Sequence, residues 1–420
     1  MRRIPFIALA AVLLVVLAMP AAGAPGDLDP RFDGDGIATA FAAGGLATSV
    51  AVDHAGRIVA AGYTLDGAVD VGVARFLPNG SLDRRFGTGG KVRLDLGGSD
   101  LAFGLAVAPN DGLAVVGRTT TGGADRMFVI RLDANGTRVT TFGTNGVRLV
   151  TFGGTRQAAT AVAFTPDGRV VVGGYSSNGV SIRSAVARLL PDGRFDTTFD
   201  ADGRVSLDLS VGAEQVNDLL VLPGGRIVAA GYAEVGGVPA FSLLRLLPTG
   251  TLDPSFGTGG VTRTSLGPGP DLGNALALTP DRHLVVVGQA GNGGKDDWGV
   301  VRYGFRGRLD PTFGTGGVVV VPFTGSFEEA TDVVASGPRL VVVGRIHHAG
   351  TGDDVGAIRL TEGGALDATF GTGGVVRVDL HGSTDDARAM ARQSNGKVVI
   401  AGEGWRDRGP RFLVVRLLAS

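Results

Sequence analysis

Seven arginines stand inside apolar runs, at Arg75, Arg131, Arg188, Arg245, Arg302, Arg359 and Arg416. Eight residues after five of them comes an aspartate: Asp83, Asp196, Asp253, Asp310 and Asp367. A guanidinium among apolar neighbours needs a carboxylate or carbonyl oxygens, because an unpaired buried charge is very costly. Turns of the Asn-Gly or Asp-Gly kind lie between several of these pairs and would bring the two positions nearly opposite each other in a hairpin. This spacing points to a structural ion pair made once per repeat. Arg416 has no aspartate after it and Asp29 has no strand arginine eight residues before it, so the two ends of the chain are expected to pair with each other. Arg131 meets Val139 where its sisters meet aspartate, and Asp133 or main-chain carbonyls are expected to serve it instead.

A second set of polar residues is less regular. Asp100, Gln157, Glu214, Asp271, Glu328 and Asp385 recur ahead of a short apolar run, with Gly45 at the matching first position. Asp218, Glu329, Asp332 and Asp386 lie close by. Carboxylates gathered at one mouth of a ring of repeats could hold a hard cation such as Ca²⁺ through oxygen ligands, with Asp100, Glu214, Asp271, Glu328 and Asp385 as the candidate metal residues. They could equally meet cationic groups on a partner, or simply accept backbone N–H bonds in the loops. Arg388 and Arg392 argue against a uniformly acidic pore. Two further clusters, His347-His348 with Asp353-Asp354 and Asp296-Asp297 with Trp298, share the loop ahead of an arginine-bearing run and have the donor types for a transition metal or acid–base work. Asp33/Asp35 and Asp200/Asp202 resemble the opening of a calcium loop, but the later ligand positions are missing and plain turns are the simpler reading. No nucleophile elbow, zinc-protease motif or phosphate loop is present, so no catalytic residue is assigned.

The elements that must position these residues repeat. Phe32, Phe86, Phe142, Phe199, Phe256, Phe313 and Phe370 are each followed four residues later by glycine, and the last four intervals are all 57 residues. One unit, from Asp196 to Asp253, reads as four short β-rich runs separated by Gly, Pro and Asp turns, with no sustained helical periodicity. Seven such units predict an all-β fold, a single seven-bladed β-propeller of four-stranded antiparallel blades. The chain opens with one strand and ends with three, so residues 36–42 are expected to supply the outer strand of the blade containing residues 387–418 and to close the ring.

The phrases LDPSFGTGGV (252–261), LDPTFGTGGV (309–318) and LDATFGTGGV (366–375), with the arginine-bearing strand ahead of them, resemble the delta-60 repeat family of bacterial proteins. The resemblance covers residues 27–420 and implies a propeller-like repeat protein, commonly exported, with no agreed activity. It departs at Arg138-Val139, where Leu-Asp is lost, and at Asp33-Gly34-Asp35 and Asp200-Ala201-Asp202, which replace Gly-Thr-Gly.

Composition sets the compartment and the partners. Met1-Arg2-Arg3, an apolar run from Ile4 to Met19 and the small residues up to Ala24 have the order of a secretory signal, so residues 1–24 are expected to be removed near 22–24, leaving a propeller of residues 25–420 in the periplasm or outside the cell. There is no cysteine, hence no disulfide framework and no lipidation site. A net charge of −1 offers no field for nucleic acid. These features predict a monomeric binding or scaffolding module for an envelope or extracellular protein or glycan. The alternatives are a propeller hydrolase or lyase with a cation at the channel mouth, and a passive structural protein of the envelope.

Overall fold

The computed structural model describes residues 23–418 apart from 211, 326, 349, 351, 381–383 and 407–408, and leaves aside the side chains of 405 and 406. The expected signal segment falls almost wholly outside the described residues. The fold is the expected one: seven four-stranded antiparallel sheets, with no helix among the described residues. Blades 1 to 6 span 45–94, 99–150, 156–207, 214–264, 272–321 and 329–378, each with its strands in sequence order. Blade 7 takes three strands from residues 385–417, and its outer strand is Ile37–Thr39, paired antiparallel with Leu413–Val415.

Blade 4 shows why these residues make these strands. Its first strand, Glu214–Val221, alternates in burial, whereas its second, Ile227–Val235, and third, Val238–Leu246, are largely buried because a neighbouring blade covers each face. Accordingly, the seven apolar clusters lie between blades; one joins Val228, Ala230, Phe241 and Leu243 of blade 4 to Leu276, Leu284, Val286 and Val301 of blade 5. The closing cluster joins Val399, Ala401, Phe412 and Val414 to Ile58, Ala60 and Phe76, with Phe32 and Ala38 from the N-terminal segment. The outer strands of blades 1 to 6 are only four residues long, which limits exposed sheet edge. The first strands of all seven blades pack against one another around the central axis.

Every first strand carries a β-bulge at the same place, and the bulged residues are Thr48, Phe103, Thr160, Asn217, Asn274, Thr331 and Arg388. The extra residue re-aims a side chain out of the blade. Five of these side chains donate to a main-chain carbonyl on the next blade's first strand: Thr48 to Ala102 (2.8 Å), Thr160 to Val216 (2.7 Å), Asn217 to Gly273 (2.8 Å), Asn274 to Ala330 (2.9 Å) and Thr331 to Ala387 (2.9 Å). Opposite each bulge the second strand has a glycine. A Cβ on Gly231 would lie 1.8 Å from the Gln215 carbonyl oxygen, and its counterparts from Gly62 to Gly402 are as crowded, so the close approach itself demands glycine.

Candidate functional site at the channel mouth

The arginine and aspartate positions come together. Arg Nε donates to aspartate Oδ2 at 2.9 Å for Arg75–Asp83, 2.7 Å for Arg188–Asp196, 2.9 Å for Arg245–Asp253, 2.7 Å for Arg302–Asp310 and 2.8 Å for Arg359–Asp367. Arg416 Nη2 and Asp29 Oδ2 lie 2.7 Å apart across the ring closure. What the spacing did not reveal is that five of the six clamps also reach the next blade. Nη1 of Arg188, Arg245 and Arg302 donates to the carbonyls of Pro248 (2.7 Å), Phe305 (2.7 Å) and Glu362 (2.6 Å) in the next blade's hairpin, as Arg75 does to Ala134 and Arg416 to Pro78. Each of these six guanidiniums lies 4.6–4.9 Å from the ring centre of the repeat phenylalanine, from Arg416 over Phe32 to Arg359 over Phe370.

A second basic residue approaches each aspartate from the start of the second strand: Arg57, Arg169, Arg226, His283, Arg339 and Lys397 for Asp83, Asp196, Asp253, Asp310, Asp367 and Asp29. Burial pushes Asp253 upward, but hydrogen bonds from Ser255 and the Arg245 charge outweigh it and hold the carboxyl below its ordinary range. Blade 2 lacks the aspartate, at Val139, and also the second basic residue, at Gly112. Arg131 there donates to the Leu113 carbonyl (2.9 Å) and sits over Phe164 of blade 3, while Asp133 is occupied with the backbone of Asn135 and Thr137.

The residue after each crowded glycine is the variable one: Tyr63, Arg118, Tyr175, Tyr232, Gln289, Arg345 and Glu403. All seven are partly exposed and stand near the face where the first strands begin. Neighbours in this ring feel one another. Burial raises the Tyr63 hydroxyl, helped by the Glu403 charge from blade 7, and burial together with Tyr175 raises Tyr232. Arg345 approaches Glu329 (3.7 Å) and Asp353 (3.8 Å), Arg388 pairs with Asp386 (2.6 Å) and approaches Glu403 (3.9 Å), and Arg118 donates to Asp125 (3.2 Å). This polar ring was not singled out from the sequence, although the variable position behind an unvarying glycine was there to be read.

Deeper in the channel are Asp218 and Asp332, each just past its bulge. Asp218 accepts the N–H groups of Leu219 (2.7 Å) and Leu276 (2.8 Å); Asp332 accepts those of Val333 (2.6 Å) and Met390 (2.6 Å). Surrounding protein raises Asp218 to about 6 and, with the Asp218 charge added, Asp332 to about 7. Both folded values exceed the unfolded 3.8, so the native state holds these protons more tightly. Their contribution to stability is complete below 3.8 and is lost as pH rises through 6 and 7. Melting temperature is therefore expected to fall between about pH 4 and about pH 7, with a shallower slope in Asp218→Asn/Asp332→Asn; equal slopes in a pH series of melts would contradict this.

The candidate metal residues occupy five separate blade junctions, each essentially without solvent exposure. Four cap the loop ahead of them: Asp100 accepts the N–H of Leu96 (2.6 Å), Glu214 that of Leu209 (2.7 Å), Asp271 that of Leu266 (2.8 Å) and Asp385 that of Leu380 (2.6 Å), as Gln157 does for Phe152 (2.7 Å). At Glu328 both carboxylate oxygens are buried without a hydrogen-bond partner, and Asp297 accepts the equivalent loop N–H of Phe323 at 3.4 Å. The five do not gather as one ligand set. Among the described residues, Asp100 comes together with Asp70 and Asp95, and Asp385 with Asp354 and Asp379.

His347, Asp353, Asp354 and Trp298 lie in strands rather than in the expected loop: His347 pairs with Asp353 (2.8 Å), Asp354 with Arg377 (2.5 Å), and Trp298 is buried and donates to the Arg345 carbonyl (3.0 Å), so they are distributed among separate contacts. Asp33 and Asp200 have φ of 51° and 49°, and Asp35 and Asp202 accept the N–H of Ile37 and Arg204 at 2.9 Å, which is the geometry of turns.

The family model described as "Domain of unknown function (DUF5122) beta-propeller" matches residues 56–86, 165–199, 222–256, 279–313, 339–370 and 393–420. These segments lie in six of the seven repeats, so the chain is similar to that β-propeller repeat model in those repeats. The unmatched repeat is blade 2, in which Val139 and Gly112 replace the clamp partners. No curated protein matches the chain in sequence. Similar solved structures include a catalytically inactive virginiamycin B lyase from Staphylococcus aureus with quinupristin, at 12% identity and TM-score 0.53, covering 91% of this chain and 98% of that one. Another is the polysaccharide lyase Uly1, at 10% identity and TM-score 0.50, covering 96% and 94%. At such identities the likeness is one of fold.

Proposed function

We propose that this chain is an exported propeller of the delta-60 kind whose channel mouth binds a saccharide, acting as a binding module rather than an enzyme. The observation that carries this reading is the ring of seven side chains of four kinds on one structural position, Tyr63, Arg118, Tyr175, Tyr232, Gln289, Arg345 and Glu403. Three tyrosines offer flat apolar faces with a polar tip, and the arginines, glutamine and glutamate offer the mixed donors and acceptors that sugar hydroxyls require. The unvarying glycines, bulges and clamps keep that ring on a rigid frame while its chemistry differs from blade to blade.

A lyase or hydrolase is the second reading, favoured by Asp218 and Asp332 being raised to about 6 and about 7. Each of their oxygens is already committed to a backbone N–H, so a structural role accounts for both carboxylates.

The test is a glycan array probed with the labelled mature chain and with Tyr175→Ala/Tyr232→Ala, followed by calorimetry on any hit. Retention of a saccharide class, weakened roughly tenfold or more by the double variant, is the expected result. An empty array, or binding indifferent to both tyrosines and to Arg118→Ala, would overturn the reading.

A further inference from the structure

We infer that two of the blade junctions, 1 to 2 and 6 to 7, are divalent-cation sites, each built from three aspartates on three different elements. In the first, Asp70 opens the third strand of blade 1, Asp95 follows its outer strand and Asp100 lies in the first strand of blade 2. One carboxylate oxygen from each lies within 4.8 Å of the others. The second repeats the set five blades on, with Asp354, Asp379 and Asp385.

Three features set these junctions apart from an ordinary acidic rim. The first is desolvated carboxylate oxygen: Asp70 and Asp100 are 1% and 0% exposed, and Oδ1 of Asp70 is buried without a hydrogen-bond partner. Such atoms are costly unless something cationic or protic meets them.

The second feature is charge. Arg93 takes Asp70 Oδ2 at 2.5 Å, and Arg377 takes Asp354 Oδ2 at 2.5 Å. One guanidinium against three carboxylates leaves the junction of blades 1 and 2 two charges short, the charge of a Ca²⁺ ion, and carboxylate oxygens are its preferred ligands.

The third feature is what happens where the triad is broken. At the junction of blades 3 and 4, Asp208 and Glu214 remain but Arg183 stands at the Asp70 position and pairs with Asp208 at 2.9 Å. At the junction of blades 5 and 6, Asp297 and Glu328 remain but Pro322 stands at the Asp95 position. In the first of these the excess charge is met by protein; in the second one ligand is absent.

The experiment is calorimetric titration of the chelator-treated mature chain with Ca²⁺ alone, with melting curves in parallel. Asp95 is exposed, so Asp95→Asn tests the first site without disturbing the core, and Asp379→Asn tests the second. Two saturable sites are expected, with a Ca²⁺-dependent rise in melting temperature. Each single variant should weaken one site roughly tenfold or more by removing a charged ligand, and the double variant should lose both while melting unchanged in chelator. One site lost with Asp95→Asn and none with Asp379→Asn would overturn the second assignment and keep the first, and the converse likewise. No saturable heat at millimolar Ca²⁺, or a stoichiometry indifferent to both variants, would overturn the inference. A failed glycan array would leave it standing.

Discussion

A chain beginning at residue 43 is expected to lose its cooperative melting transition. Residues 23–42 carry Phe32, Asp29 and Ala38, all at or below 1% exposure, and the strand Ile37–Thr39 that completes blade 7. Removing them strips the outer edge from Phe412–Leu417, leaves Arg416 without Asp29 and opens the apolar cluster between blades 7 and 1. Those losses fall on one junction, and a ring with one open junction loses the packing on both blades that border it. Scanning calorimetry of residues 43–420 against 23–420 checks this. Adding a synthetic peptide of residues 23–42 should restore part of the transition if the strand acts by pairing. A full native transition in the shortened chain would show that the ring holds without it.

Arg245→Ala has the second largest expected effect. The substitution removes the inner cation from Asp253, 3% exposed, which keeps the outer Arg226 at 3.2 Å and the Ser255 hydrogen bonds, and leaves the Phe305 carbonyl of blade 5 without this donor. Breaking a buried pair by removing one partner costs about 3–5 kcal/mol. The penalty should show as a lower denaturant midpoint in equilibrium unfolding. Arg245→Lys should recover little of it, since an ammonium cannot reach Asp253, Ser255 and Phe305 together as the planar fork does. The stabilisation from Asp253 is present above the ordinary carboxylate range and disappears as pH falls through its depressed folded value, so wild type and variant should converge in acid. Neutral behaviour of Arg245→Ala at pH 7 would contradict the clamp.

Blade 2 is a natural version of the same experiment. It has lost both the aspartate and the outer basic residue and keeps only the arginine, which bonds to a carbonyl and lies against a phenylalanine of blade 3. Losing the aspartate together with its outer basic residue leaves no buried carboxylate behind, whereas Arg245→Ala keeps one and removes its inner cation.

How much was legible in the sequence depends on the distance over which each feature is encoded. The blades, their number, the hairpin clamps and the closure by Asp29 and residues 36–42 are local or strictly periodic: an eight-residue spacing puts two side chains on one hairpin, and a missing partner at one end matches a spare one at the other. The clamp's bond to the following blade was out of reach, because the carbonyl at Phe305 carries no side-chain signal. The bulges were out of reach for a similar reason, since one extra residue in a strand leaves no mark on composition and only the glycine opposite betrays it.

The acids were visible but their grouping was not. Counting along the chain aligned Asp100 with Asp271 and Asp385 because they share a repeat position, and a shared position in a propeller means separation by one or more blades. Asp100 instead meets Asp70 and Asp95, which lie at other positions of the preceding repeat. Sequence by itself determined the ring, its seven units and the pairs within each hairpin, because periodic burial and short-range turns need no knowledge of the neighbour. Only the tertiary structure decided which side chains share a junction or a channel mouth, because those contacts cross between blades, and the angle at which blades meet is set by the packing of their buried faces.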